Sequence, residues 1–168
     1  NMLYTALQQP GPVALRYPRG AGTGVPLDSA FRQLPIGRSE RLREGRDLTI
    51  LALGSMLAPS LAAARTLEEK GIQAEVVNVR FVKPLDPALA EHALGTKRVL
   101  VVEENTRAGG LSSAVLESFN DAGILGEIAI RRMGLPDRFV EHGSIDVLRS
   151  LCGLDAPSIV EEAEHLFR

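Results

Sequence analysis

The sequence predicts an α/β domain: a three-layer, open and mainly parallel sheet flanked by helices and preceded by an extended arm. Three observations predict it. From Asp47 onward, short apolar runs alternate with stretches whose apolar residues recur at helical spacing. The runs are continuous, as in strands covered on both faces. Helices separate successive strands, which implies right-handed crossovers between parallel neighbours.

Each element has its own signal. In the first part of the chain only Val13 to Tyr17 reads as a strand, because Gly11-Pro12, Pro18, Pro26 and Pro35 interrupt the rest. Leu48 to Leu53 is an apolar strand, Gly54-Ser55 punctuates it, and Leu57, Leu61, Ala64 and Leu67 mark a helix running to Gly71. Glu75 to Phe81 is the next strand, with β-branched Val76, Val77 and Val79. Pro84 ends it, and Asp86 is set as an N-cap before Pro87, opening a short helix with Leu89 and Ala93 inward. Arg98 to Val102 is a third strand of this part, and Leu111, Ala114, Val115 and Phe119 mark a helix ending near Gly123. Glu127 to Met133 follows as a strand. Ile145, Leu148 and Leu151, then Ile159, Val160, Ala163 and Leu166, mark two closing helices.

Composition bounds the function. The 168 residues are 45% hydrophobic and 24% charged, with one cysteine, so a core forms without disulfides and Cys152 has no thiol partner for a bridge or zinc site. A reducing, cytoplasmic setting follows as the expectation. Net charge −2 and seven aromatics argue against a nucleic-acid platform, and no run is long and apolar enough for a membrane span. Asn1-Met2-Leu3-Tyr4 lacks the features of a signal peptide and reads as the continuation of a longer chain. Charge divides the sequence: residues 1–46 carry seven Lys/Arg against three Asp/Glu, and residues 47–168 carry twelve against eighteen. The first part is an arm or linker, the second the domain.

In open parallel sheets ligands bind beyond the carboxyl ends of the strands, which directs attention to Gly54-Ser55, Phe81 to Asp86, Glu103 to Gly110 and Gly134 to Asp137. Gly20-Ala21-Gly22-Thr23-Gly24 lacks the dinucleotide spacing and no helix opens at Val25-Pro26-Leu27. Ser55 reads as an N-cap. Glu103 and Glu104 are adjacent in an extended segment and therefore point opposite ways, which argues against a two-carboxylate site. The double glycine after them lets the backbone pass close to another chain or turn into the helix at Leu111. His92, His142 and His165 have no metal-ligand spacing and read as surface residues, while Cys152 reads as a small core residue. Arg16-Tyr17-Pro18-Arg19-Gly20 is the most chemical segment: two guanidinium forks on a backbone stiffened by Pro18 suit a phosphate, although an ordinary basic strand end has the same composition.

Taken in order, Gly11-Pro12-Val13-Ala14-Leu15-Arg16-Tyr17-Pro18-Arg19-Gly20, Arg80-Phe81-Val82-Lys83-Pro84-Leu85-Asp86, Val102-Glu103-Glu104-Asn105 with Gly109-Gly110, Gly134-Leu135-Pro136-Asp137 and Gly153-Leu154-Asp155-Ala156 resemble the C-terminal end of the 1-deoxy-D-xylulose-5-phosphate synthase family. The resemblance implies that residues 1–46 are the tail of a pyrimidine-binding domain plus linker and that 47–168 are a transketolase C-terminal domain. It implies a homodimeric parent enzyme that joins pyruvate to glyceraldehyde 3-phosphate with thiamine diphosphate and Mg²⁺, feeding isoprenoid, thiamine and pyridoxal synthesis, in the cytoplasm or, in a plant or alga, the plastid. Arg19, and secondarily Arg16, would then hold the substrate phosphate. The family's Gly-Asp-Gly metal motif, activating Glu and active-site histidines are not in this sequence. The portion is therefore expected to bind no cofactor or metal by itself, to contain no catalytic residue, and to support the dimer and the remaining domains. The alternatives are the equivalent domain of a transketolase or of a 2-oxo acid dehydrogenase E1 β subunit, or a stand-alone α/β module that binds a small anion or protein through its Gly54 and Gly109 loops. Exposed apolar areas are expected at Phe81 to Leu85 and at Gly109 to Val115.

Overall fold

The structure is a computed structural model and describes residues 1–18, 22, 24–26 and 29–168. In chain order the elements are α1 (Met2–Leu7), β1 (Glu40–Arg43), β2 (Leu48–Ala52), α2 (Leu57–Glu69), β3 (Ala74–Asn78), α3 (Leu89–Thr96), β4 (Arg98–Thr106), α4 (Leu111–Asp121), β5 (Ala129–Leu135), α5 (Ile145–Leu151) and α6 (Ala156–Glu164). The strands form one sheet in the order β1-β3-β2-β4-β5. β2 is parallel to β3 and β4, β4 is parallel to β5, and β1 runs antiparallel along the β3 edge. The expected open, mainly parallel sheet is present.

The period-2 geometry of the strands divides the core into two layers. Leu48 and Ile50 of β2 face one way, into a cluster with Met56, Ala63 and Leu67 of the α2 region and Ile159 and Val160 of α6. Leu51 faces the other way, with Val77 of β3, Leu89 of α3 and Val115 and Phe119 of α4. All five residues of β2 are buried, which explains why its sequence is apolar except for Thr49. Helix α6 starts where Asp155 accepts hydrogen bonds from the Ser158 N–H at 3.0 Å and hydroxyl at 2.6 Å.

The arm differs from the expectation. Val13 to Tyr17 belongs to no strand, because no neighbouring strand offers it a ladder. Two short elements stand there instead. The Thr5 hydroxyl of α1 accepts from the Leu34 N–H at 2.8 Å, and the Tyr4 and Phe31 rings stack at 5.9 Å. β1, a charged Glu-Arg-Leu-Arg strand, lies in the part of the chain that the charge pattern groups with the arm. Asp86 tethers its start: the carboxylate takes hydrogen bonds from the Ser39 N–H (2.6 Å) and hydroxyl (2.7 Å), with Arg38 Nη1 at 3.4 Å. It also accepts from the Ala88 N–H at 3.0 Å, so it caps the turn that leads into α3 rather than the helix itself. Between β1 and β2 the chain passes so close to β3 that a Cβ on Gly45 would lie 2.1 Å from the Glu75 amide nitrogen.

Smaller boundaries also shift. β4 continues to Thr106, and the last strand begins at Ala129 after a 3-10 turn over Leu125–Glu127. The start of α4 is not an exposed apolar area: Leu111 and Val115 are fully buried in the domain's own core. In the Phe81 to Leu85 corner only Val82 of the large apolar residues is exposed, while Phe81 and Leu85 are half-buried and Leu85 packs on the core. A second exposed apolar group lies at Phe139, Val140, Ile145, Val147 and Leu151, and α5 buries none of its residues.

Candidate functional site

β2 and β4 are adjacent and parallel, so the turns after them come together at one end of the sheet. Glu103 and Glu104 lie on β4 there, and the strand's alternation sends them to opposite faces. Glu103 is fully buried at the start of α4, where Oε2 accepts from the Leu111 N–H at 2.7 Å and Oε1 from the Ser112 N–H at 2.8 Å. These are orphan donors of a helix N-terminus, and the carboxylate also meets the positive end of the helix dipole. The turn leading into α4 closes only because residue 110 has no side chain: a Cβ there would sit 2.2 Å from Glu103 Oε2.

Glu104 faces the other layer. It accepts from Arg149 Nε at 3.1 Å and Nη2 at 3.2 Å, a two-point pairing, and from the Ser55 hydroxyl. Ser55 therefore does not cap α2, which has no side-chain cap. Burial pushes the Glu104 carboxyl up, but the hydrogen bonds from Arg149 and Ser55 and the charges of Arg149 and Arg16 outweigh it and hold the group below the usual carboxylate range. Arg16, one of the two arginines singled out in the arm, is exposed, and its charge is the smallest of these influences on Glu104. Arg19 lies outside the described residues, as do Gly20, Ala21 and Thr23 of the glycine-rich stretch. Val25 and Pro26 after it are not helical.

Of the histidines, His142 is exposed. His92 is not simply a surface residue: its Nδ1 lies 2.8 Å from Oε1 of buried Glu75, whose Oε2 accepts from the Thr49 hydroxyl at 2.8 Å. This network sits at the amino ends of the strands, away from Glu104. Cys152 is half-buried and packs on the α2/α6 core, as expected. Sequence reasoning missed Arg149 and Glu75. Nothing in sequence spacing connects Arg149 to a carboxylate 45 positions away, whereas Glu75 is visible as the one acidic residue inside an apolar strand.

The arrangement holds charged groups in place but offers no nucleophile. The Ser55 hydroxyl is given to an ion-paired carboxylate, and the Ser112 hydroxyl donates to the Arg107 carbonyl at 3.1 Å. Among the described residues no three His, Cys, Asp or Glu side chains are grouped to hold a metal ion. No helix among them is long and apolar enough to cross a membrane.

The family model of the transketolase C-terminal domain matches residues 37–159. The 1-deoxy-D-xylulose-5-phosphate synthase 1 of Geobacter sulfurreducens is 50% identical over 165 residues, which are 98% of this chain and 26% of that protein. The synthase of Thermomicrobium roseum is 53% identical over 161 residues, 95% of this chain and 25% of that protein. The chain thus spans about a quarter of the length of these curated relatives. Among solved structures, a chain described as a split-gene transketolase in an inactive β4 tetramer superposes with a TM-score of 0.73 at 37% identity, over 80% of this chain and 44% of that one. A transketolase of Pichia stipitis, at 21% identity and a TM-score of 0.54 over 77% of this chain and 18% of that one, shares the fold. The chain belongs to the transketolase C-terminal domain family and matches the C-terminal portion of the 1-deoxy-D-xylulose-5-phosphate synthases.

Proposed function

We propose that this chain is the C-terminal portion of a homodimeric, cytoplasmic synthase that condenses pyruvate with glyceraldehyde 3-phosphate to 1-deoxy-D-xylulose 5-phosphate and CO₂. The observation that carries this reading is the 50% identity, over 98% of the chain, to a protein bearing that name. In this reading residues 1–46 are the end of the pyrimidine-binding domain and a linker, with β1 supplied by the linker, and residues 47–168 are the C-terminal domain. Thiamine diphosphate and Mg²⁺ belong to the parent enzyme. The described residues do not fit either group: Glu103 is committed to the α4 N-terminus, Glu104 to Arg149, and no cluster of metal ligands exists among them. No step through the cofactor is assigned to this chain, and the remaining domains hold it.

The role of this portion is to position and support. The exposed apolar residues from Phe139 to Leu151 and those of the arm supply surface for the other domains and for the dimer partner. Catalysis by the isolated chain is not expected, and the neighbouring structure described as an inactive β4 tetramer of a split-gene transketolase supports that reading. Purified residues 1–168 given thiamine diphosphate, Mg²⁺ and both substrates should form no product. Turnover would overturn this assignment.

Arg19, with Arg16 second, holds the phosphate of glyceraldehyde 3-phosphate through charge-assisted hydrogen bonds. Such bonds contribute roughly 1.5–3 kcal/mol, so Arg19→Ala in the full-length enzyme should raise KM for glyceraldehyde 3-phosphate by about 10- to 100-fold. KM for pyruvate, which has no phosphate, should change little. Equal effects on both constants would remove Arg19 from this role.

A further inference from the structure

β1 is held to the sheet in a different way from β2. None of its four residues is buried, and its one apolar side chain, Leu42, is 41% exposed, so apolar burial contributes little to its position. What faces β1 is charge. Segment 38–46 reads Arg-Ser-Glu-Arg-Leu-Arg-Glu-Gly-Arg, with four arginines against two glutamates. In order along it, Arg38 meets Asp86 at 3.4 Å, Glu40 meets Arg80, Arg41 meets Glu75 at 3.7 Å and Arg43 meets Glu68 at 2.9 Å. Each sign on the segment is thus answered by the opposite sign on the domain. A strand that is polar on both faces has a weakly specified register, and here the order of charges specifies it across the bulge between Arg41 and Arg43.

Two of the receiving groups, Asp86 and Glu75, are buried carboxylates, and each has partners in the domain besides β1. Asp86 accepts from the Ala88 N–H at 3.0 Å. Glu75 accepts from the Thr49 hydroxyl at 2.8 Å and has His92 Nδ1 at 2.8 Å. Departure of β1 therefore leaves neither carboxylate without a hydrogen bond, which removes the largest cost of opening. Glycines bound the segment. Gly37 has φ +69°, and a Cβ there would lie 2.9 Å from Pro84 Cγ, while Gly45 passes β3 in the close approach described above.

We propose that residues 38–46 form a charge-held strap. Closed, it fastens the arm to the β3 edge; at high ionic strength it peels away between Gly37 and Gly45 while the rest of the sheet stays folded. Nine residues extend to about 30 Å, so opening turns a fixed attachment of residues 1–37 into a tether of that reach. The effective concentration, at the domain, of whatever the arm carries falls accordingly. The strap stands independently of the functional reading above.

The test is amide exchange on the intact protein, followed segment by segment in about 0.01 M and about 1 M NaCl, between which the screening length falls from about 30 Å to about 3 Å. Exchange at Glu40–Arg43 should speed about tenfold, with β2 and β4 changing less than about twofold. At low salt Arg43→Glu and Glu68→Arg should each speed exchange in β1 about five- to tenfold. The double variant restores the pair with its signs reversed and should return to within about twofold of the original. Protection of β2 marks each variant as folded, and the salt series needs no substitution, so it decides even where a variant does not fold. Exchange at Glu40–Arg43 that ignores salt, that speeds only together with β2, or that is not restored in a folded double variant would overturn the strap.

Discussion

A methyl group on residue 110 would sit 2.2 Å from Glu103 Oε2 and 2.5 Å from the Thr106 carbonyl oxygen. Neither neighbour has room to yield, since one is buried side chain and the other backbone. Gly110→Ala should therefore displace Glu103 from the Leu111 and Ser112 amides and lower stability by about 2–4 kcal/mol. Urea unfolding reads this directly; a midpoint within error of wild type would show that the turn relaxes. Sequence alone reaches part of this arrangement. Adjacent residues of an extended segment diverge, so the separate fates of Glu103 and Glu104 are visible in the order of residues. The partner of Glu104 is not, because Arg149 reaches it only through the tertiary course of α5. The Ser55 hydroxyl illustrates the same limit: its local pattern is that of a cap, and an ion-paired carboxylate nearby is the stronger acceptor.

Elements with a strong internal period are legible because burial and periodicity report the same fact. β2, β3 and the helices α2 and α4 come close to their sequence signals. β1 and α1 carry no such signal: each is short, and each is held by contacts far along the chain. The loss of Val13–Tyr17 as a strand is the converse, since β-branched and aromatic residues make a strand only where an edge is available to pair. Asp86 is the residue on which β1 depends. Asp86→Ala removes acceptors from the Ser39 N–H, the Ser39 hydroxyl and the Ala88 N–H, and should cost about 2–3 kcal/mol. Amide exchange should accelerate at Glu40–Arg43 well before it does in β2. Uniform acceleration throughout the sheet would mean that β1 does not open separately.

Among the described residues of the whole molecule, four carboxylates are held below their ordinary range. Burial opposes this at Asp86, Glu104 and Glu162 and is outweighed by hydrogen bonds from Ser39, from Arg149 and Ser55, and from Arg131 and His165 respectively, while at Asp155 the bonds from Ser158 dominate. A lowered folded value means that the unfolded chain binds protons first as pH falls. The stabilisation is complete above the ordinary carboxylate values near about 4 and is lost progressively below them. Thermal midpoints should be level from about pH 7 to 5 and fall below about pH 4, less steeply in Glu104→Gln. A midpoint that rises on acidification would contradict this sign. The Glu103 cap carries a last consequence for ligand recognition. In sheets of this class the helix N-terminus beyond a strand is the customary seat of a phosphate, and here the chain has seated its own carboxylate in it. A tethered competitor is present at an effective concentration that a dissolved anion cannot match. The α4 end of the fold is thereby closed to incoming phosphates.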